Sequence, residues 1–221
     1  MAKKYYDEEI PVVPQLSRLQ EIEQFIFNAG SDHVPTFGGQ FVPGSIQCQQ
    51  VPDELAPCIL KILESGEEIK NYLEIGVAAG GTTFLINHFF HPEKIVLIDD
   101  NHHPKAHVRG YILTGLPFTE IIGQSQSTIV LAALQEMGLT FDMVMVDGGH
   151  GYEEVKADVK NYRDYLRNRG FLLLHDSALP EWGVMPVVEE LKKDKGFEFV
   201  EEYKSNVIAP LGLALFRKVG K

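Results

Sequence analysis

The stretch YLEIGVAAGGTT, Tyr72 to Thr83, decides the fold. A short apolar run carries Glu74 near its end, turns through Gly76 and Gly80, and passes directly into the helical pattern GTTFLINHFF. A strand that turns on glycine into a helix opens a strand–helix–strand unit. Gly76 and Gly80 can take positive φ or admit a ligand close to the backbone, and the amides at the helix start are donors suited to a carboxylate. The dinucleotide fingerprint G-x-G-x-x-G is broken at its second glycine by Ala78, so a nicotinamide cofactor loses support. A tight turn with no ligand would use the same residues.

Downstream of that turn the alternation continues. KIVLIDD, FTEIIG, FDMVMVDG and FLLLHDS are short apolar runs ending in Gly, Asp or a polar pair, the pattern of strands buried on both faces. Helical patterns separate them: GTTFLINHFF, the region 104–114, SQSTIVLAALQEMG and a long YEEVKADVKNYRDYLRNRG in which Val155, Val159, Tyr162 and Leu166 share a face. A helix over Val187 to Lys193 follows, then FEFVEEYK and GLALFRK, whose short connection predicts a closing hairpin. The expected fold is α/β: a three-layer, doubly wound sheet, mainly parallel, with a C-terminal antiparallel hairpin.

Upstream the chain is less regular. Ser17 with Gln20 three residues on, then Leu19, Ile22, Phe25 and Ile26, then Gly30, predict a capped amphipathic helix. HVPTFGGQFVPGS reads as a loop, and Pro52 to Gly66 as a second helix. Residues 1–50 are expected to be a lid or a homodimer contact, and 51–221 the catalytic domain.

Composition narrows the function classes. The 221 residues carry a formal net charge of −11, a repulsive mean field for a nucleic-acid backbone, so small-molecule substrates are expected rather than nucleic acid. No apolar run approaches the roughly 20 residues of a membrane span, and the N-terminus lacks the apolar core of an export signal. A cytoplasmic protein without membrane contact is the expectation. Cys48 and Cys58 form no metal-binding pair and read as free thiols.

The strand ends carry the candidate chemistry. Asp99 is about twenty residues beyond the glycine turn, where a carboxylate can hydrogen-bond ribose hydroxyls, with Asp100 and Asn101 as neighbours that share the position. Asp147 and Asp176 end successive strands and should meet in one crevice. Hard oxygen ligands suit Mg²⁺, whereas His175, beside Asp176, brings an imidazole that favours borderline ions such as Zn²⁺ or Fe²⁺. His150 is a candidate general base or, equally, a cap for the helix near Tyr152. His102, His103 and His107 lack a ligand spacing and read as surface loop. Trp182 and residues 37–44 are candidates to cover the site.

In order, EIGVAAGGTT, the acidic end of KIVLIDD, IIGQS, FDMVMVDGGHGYEEVKADV and GFLLLHDS resemble the class I S-adenosylmethionine-dependent methyltransferases over roughly residues 70–218. D-G-x-H-x-Y-E-x-V followed by G-x-L-x-x-H-D resembles more narrowly the small-molecule and sugar O-methyltransferase group that includes cephalosporin-hydroxylase-like proteins. The resemblance implies that Glu74, Gly76, Gly80 and Thr82 surround the methionine moiety, Asp99 the ribose, and Gly123, Gln124 and Ser125 the adenine edge. It also implies transfer of a methyl group to a hydroxyl of a sugar, glycosylated metabolite or phenol, with divalent-metal assistance through Asp147, His175 and Asp176 left open. In the metal-dependent members an acidic residue often stands where this chain has His175. The other readings are a nicotinamide-dependent oxidoreductase and a non-catalytic nucleoside-binding module.

Overall fold

A computed structural model describes residues 15–33 and 45–220. Most of the loop expected at residues 33–45, with the glycine-rich stretch 37–44, lies outside them. Two helices lead in: α1, Arg18–Ala29, and α2, Pro52–Glu64. The sheet strands are β1 (Asn71–Ile75), β2 (Lys94–Asp99), β3 (Phe118–Ile122), β4 (Phe141–Val146), β5 (Leu166–His175), β6 (Phe197–Tyr203) and β7 (Leu213–Lys218). Between them run α3 (Gly81–Phe90), the single-turn α4 (Arg109–Ile112), α5 (Thr128–Glu136), α6 (Tyr152–Tyr162) and α7 (Val184–Leu191).

The seven strands lie in the order β3-β2-β1-β4-β5-β7-β6. Pairing is parallel from β3 through β5, while β7 runs antiparallel to both β5 and β6. The expected doubly wound, mainly parallel sheet with its C-terminal antiparallel pair is therefore the fold. The chain starts at the centre, with β1 between β2 and β4, and the windings depart from it in opposite directions. That reversal opens a crevice beyond the carboxyl ends of β1 and β4, where ligands of such sheets bind.

Side-chain alternation along the strands assigns the two faces. Met143 and Met145 of β4 face Ile59, Ile62, Leu85 and Ile86 from α2 and α3, with Ile22 and Ile26 of α1 in the same cluster. Val144 and Val146 face Val130, Leu134, Val155, Val159 and Val188 from α5, α6 and α7. Each such fully buried aliphatic side chain is worth about 1.5–3 kcal/mol relative to exposure. Ser17 caps α1 through the reciprocal box with Gln20 that the sequence predicts. Glu54 of α2, itself buried, accepts hydrogen bonds from the backbone N–H groups of Ser205 (2.8 Å) and Gly212 (3.1 Å), tying the β6–β7 connection across the molecule.

Two helical readings are corrected. The region 104–114 forms a 3-10 turn at Ala106–Val108 and the one-turn α4 instead of a full helix. The long helix from Tyr152 ends at Tyr162, and LRNRG belongs to β5, where Leu166 pairs with Phe141 across an irregularity before Met143. Leu166 follows Tyr162 by four residues and is buried in the same cluster, so the helical period continues into the strand without a break that sequence could register.

Candidate functional site

A cavity of about 600 Å³ opens at the carboxyl ends of the central strands, within the range of small-molecule sites. One wall is the β1–α3 turn and the start of α3, whose Gly81 and Thr82 line it. The positive end of that ten-residue helix faces the cavity. The floor is Ile75 and Ile98; Asp99 and Asp100 end β2, and Gly123 to Gln126 follow β3.

The glycine requirement at the turn comes from the protein itself. A Cβ on Gly76, at φ +79°, would stand 2.0 Å from the carbonyl oxygen of Asp147, and one on Gly81 would stand 2.5 Å from Cα of Cys48. Gly80 caps α3 in the left-handed region at φ +88° against Leu113 and does not line the cavity. These glycines bring the turn hard against the loops after β4 and before α2, and so shape the cavity from behind.

Asp99 is placed differently from expectation. Its Oδ2 accepts from the backbone N–H of Val77 (2.7 Å) and Ala78 (3.1 Å); its Oδ1 accepts from the N–H of Asn101 (2.7 Å) and pairs with Arg109 Nη2 at 2.8 Å. Burial raises the carboxyl, but the Val77 amide and the Arg109 guanidinium together hold it below the ordinary value. Arg109, 3% exposed, also donates to the Ala78 carbonyl, to Asn101 Oδ1 and to Glu120. Asp99 thus clamps the glycine turn, with its acceptor sites engaged. Asn101 serves the same clamp and stands off the lining, whereas Asp100 is exposed and faces the cavity, its carboxylate holding His102 at 3.0 Å.

Glu74 is buried beneath the turn, where its Oε2 accepts from Thr83 Oγ1 (2.5 Å) and Tyr72 OH (2.9 Å). Burial outweighs those two hydrogen bonds and lifts the carboxyl to about 8. Gly123, Gln124 and Ser125 line the cavity beside β3. The Ser125 hydroxyl donates to Asp158 (2.7 Å), Gln126 Nε2 donates to the same oxygen (2.8 Å), and Tyr162 OH holds the Ser125 carbonyl (2.6 Å). Burial pushes Asp158 up to about 6 against the two donors.

At the opposite end the expected strand-end residues do meet. Asp147 follows β4, and His175 and Asp176 close β5. Nδ1 of His175 is 2.9 Å from Asp147 Oδ1 and 3.1 Å from Asp176 Oδ2. Ligand atoms from all three lie within 4.8 Å of one another, the spacing of a metal-binding group. Burial depresses the imidazole, but the charge of Asp147 and the hydrogen bonds to both carboxylates overcome it and raise His175 to about 10. Its Nε2 is buried without a partner among the described residues. His150 reaches the same cluster through Nε2, 3.1 Å from Asp176 Oδ2, and its ring stacks on Trp182 at 3.9 Å between centroids. Its backbone carbonyl accepts from Gly183, while α6 is capped by Gly151 and Glu154, so His150 is not the cap of that helix.

Gln50 was not singled out in the sequence. Its Nε2 donates to Asp147 Oδ2 at 2.7 Å and its Oε1 accepts from Thr82 Oγ1 at 2.5 Å, bridging the cluster to α3. No local pattern marks it, because the contact spans 97 residues and appears only when α2 is docked. His33 and Gln49 line the same wall, and His103, read as surface loop, joins them with its Nε2 3.5 Å from Gln49 Nε2. Both thiols are free and buried, and burial pushes Cys48 up to about 12.

Residues 73–177 match the family model described as "Methyltransferase domain". No curated protein sequence matches the chain. Among solved structures the chain is similar to the O-methyltransferase TomG from Streptomyces achromogenes, involved in tomaymycin synthesis and solved with S-adenosylmethionine. Identity is 17%, coverage 95% of this chain and 93% of TomG, and the TM-score 0.62. The N-methyltransferase NodS from Bradyrhizobium japonicum WM9 shares 20% identity over 74% of this chain and 94% of its own, with a TM-score of 0.53. MycE of the mycinamycin biosynthetic pathway, solved with Mg, S-adenosylhomocysteine and mycinamycin VI, shares 18% identity over 92% of this chain, with a TM-score of 0.57. The chain spans about half of MycE, 55% of its length. The architecture is that of the class I methyltransferases, and it is common to O- and N-methyltransferases.

Proposed function

We propose that this protein, whose residues 73–177 match the methyltransferase-domain model, is an S-adenosylmethionine-dependent O-methyltransferase acting on a hydroxyl of a small molecule. The observation that carries the reading is the charge of the cavity. Asp99, Asp100, Asp147, Glu154 and Asp176 line it with Asp32, and no described lining residue is a lysine or arginine. Such a lining attracts a cationic sulfonium and repels a pyrophosphate, which disfavours the nicotinamide alternative. The same field argues for an acceptor that is uncharged or cationic, such as a sugar or phenol, rather than a phosphorylated one.

When bound, S-adenosylmethionine supplies a methyl group already made electrophilic by its sulfonium, so the protein's own task is alignment and exclusion of water. The start of α3, with Gly81 and Thr82, suits the methionine carboxylate. Asp100, the exposed carboxylate just beyond β2, suits the ribose hydroxyls, while Asp99 holds the turn behind it. Gly123 to Gln126, fixed by Asp158, suit the adenine edge. His150, with Nε2 committed to Asp176, keeps Nδ1 to accept the proton of the acceptor hydroxyl, and Trp182 covers the ring. Asp147, His175 and Asp176 have the donor types and spacing to hold a divalent cation, which when bound would lower the pKa of an acceptor hydroxyl.

Calorimetry with S-adenosylhomocysteine on the full chain is the direct test. Binding at one site, with affinity lowered at least about tenfold in Asp100→Ala, as loss of a charge-assisted hydrogen bond predicts, is the expected result. Thermal protection by NAD and none by S-adenosylhomocysteine would replace this reading with the oxidoreductase. Full S-adenosylhomocysteine binding, with no radiolabelled methyl transferred to any hydroxyl acceptor, would leave a nucleoside-binding module.

A further inference from the structure

We infer that Asp147, His175 and Asp176 form a site selective for a borderline divalent ion such as Co²⁺, Zn²⁺ or Fe²⁺ over Mg²⁺. The reading of the site as a methyltransferase centre gives the ion its use, but the selectivity follows from the residues alone. Nδ1 of His175 stands 2.9 Å and 3.1 Å from its two carboxylate neighbours. Ligand atoms about 2.1 Å from one metal and at right angles to each other are separated by about 3.0 Å. The imidazole nitrogen therefore stands at the spacing of an adjacent coordination position from each carboxylate oxygen, and the three ligand atoms lie within 4.8 Å of one another.

The backbone is bent to make that convergence. Successive residues of a strand point to opposite faces, which would send His175 and Asp176 apart. Asp176 instead takes φ +60°, a left-handed conformation that is strained for a non-glycine residue, and its ligand atom lies within 4.8 Å of those of His175 and Asp147. Outlying groups then orient the ligands. Gln50 Nε2 holds the other oxygen of Asp147 and His150 Nε2 holds Asp176. Asp176 and His175 are 3% and 6% exposed, so the donors are fixed before any ion arrives.

The donor set decides which ion fits. Mg²⁺ favours oxygen ligands and parts reluctantly with its waters, whereas one imidazole nitrogen among two carboxylates shifts preference along the divalent series toward Fe²⁺, Co²⁺ and Zn²⁺. His175 is the single residue that sets the difference.

The test uses the full chain stripped of metal with a chelator, titrated separately with Co²⁺, Zn²⁺ and Mg²⁺ by calorimetry, with the visible Co²⁺ spectrum as a second readout. The expected result is one Co²⁺ or Zn²⁺ per chain, at least about tenfold tighter than Mg²⁺, with d–d bands that report nitrogen ligation. His175→Asp should lose that spectrum and gain Mg²⁺ affinity relative to the wild type. His175→Asn should lose Co²⁺ binding and guards against misfolding of the first variant. Equal or tighter Mg²⁺ binding by the wild type, or no binding of any of the ions, overturns the inference. S-adenosylhomocysteine binding on the same preparation separates the two claims. Nucleoside binding without ions defeats only the metal site, and ions without nucleoside binding defeat only the methyltransferase reading.

Discussion

Removing the Asp99 carboxylate should unfold the turn before it touches a ligand. In Asp99→Ala the buried Val77 amide loses its acceptor, at a cost of about 1–3 kcal/mol, and Arg109 loses one of its two carboxylates. Breaking a buried ion pair costs about 3–5 kcal/mol, and Glu120, Asn101 and the Ala78 carbonyl remain to hold the guanidinium, so the lower part of that range applies. Ala78 and Asn101 are less buried and can recover water, which keeps the sum near ~4 kcal/mol. For a chain of this size each kcal/mol moves the melting temperature by about 2–4 °C, giving a drop of roughly 8–16 °C. Asp100→Ala, an exposed change, should stay within about 0.5 kcal/mol of the wild type. Scanning calorimetry without ligand, followed by S-adenosylhomocysteine titration below the lower melting point, checks both variants. If Asp99→Ala melts with the wild type yet no longer binds the nucleoside, the carboxylate serves the ligand and the clamp is refuted.

Two further outcomes follow from the packing around the site. Gly76→Ala places a Cβ 2.0 Å from the Asp147 carbonyl at φ +79°, so a loss above about 4 kcal/mol is expected, read as a collapsed urea midpoint or insoluble expression. Glu74, whose folded value near 8 lies above the ordinary 4.5, keeps its proton in the folded chain over a range where the unfolded chain has released it. Its contribution therefore falls as pH rises from about 4.5 to about 8. Glu74→Gln should flatten that part of the stability–pH curve, and parallel melting curves for the two proteins would contradict the assignment.

Much of the architecture is legible in the sequence because each buried parallel strand is a short apolar run closed by Gly or Asp, and each long helix repeats at its own period. Val144 and Met145 sit in one such run yet face opposite layers, so the run itself carries the strand signal. Where one pattern flows into another the boundary is invisible, as at Leu166, which satisfies helix and strand alike. At the site, the types and strand-end positions of Asp147, His175 and Asp176 are readable, and their meeting follows from the parallel order. The roles of Asp99 and Gln50 are not, because each depends on how separate elements dock: Asp99 on the amides of the β1–α3 turn and a guanidinium presented by α4, and Gln50 on a carboxylate 97 residues away. Gly76 and Gly80 both take the positive φ that the sequence allows, but the body that crowds Gly76 is the chain's own backbone, and Gly81, crowded in the same way, carries no local signal.

The placement of β7 between β5 and β6 has a consequence for how the chain leaves the ribosome. Phe171 to His175 take their antiparallel neighbour from Leu213 to Arg217, about forty residues later, while β6, synthesised earlier, has no place in the sheet until β7 arrives. During translation the apolar flank of β5 must wait uncovered, open to mispairing with another nascent chain, until β7 has emerged. Removing β7 should therefore convert a folding protein into an aggregating one, although every residue lining the cavity would still be present.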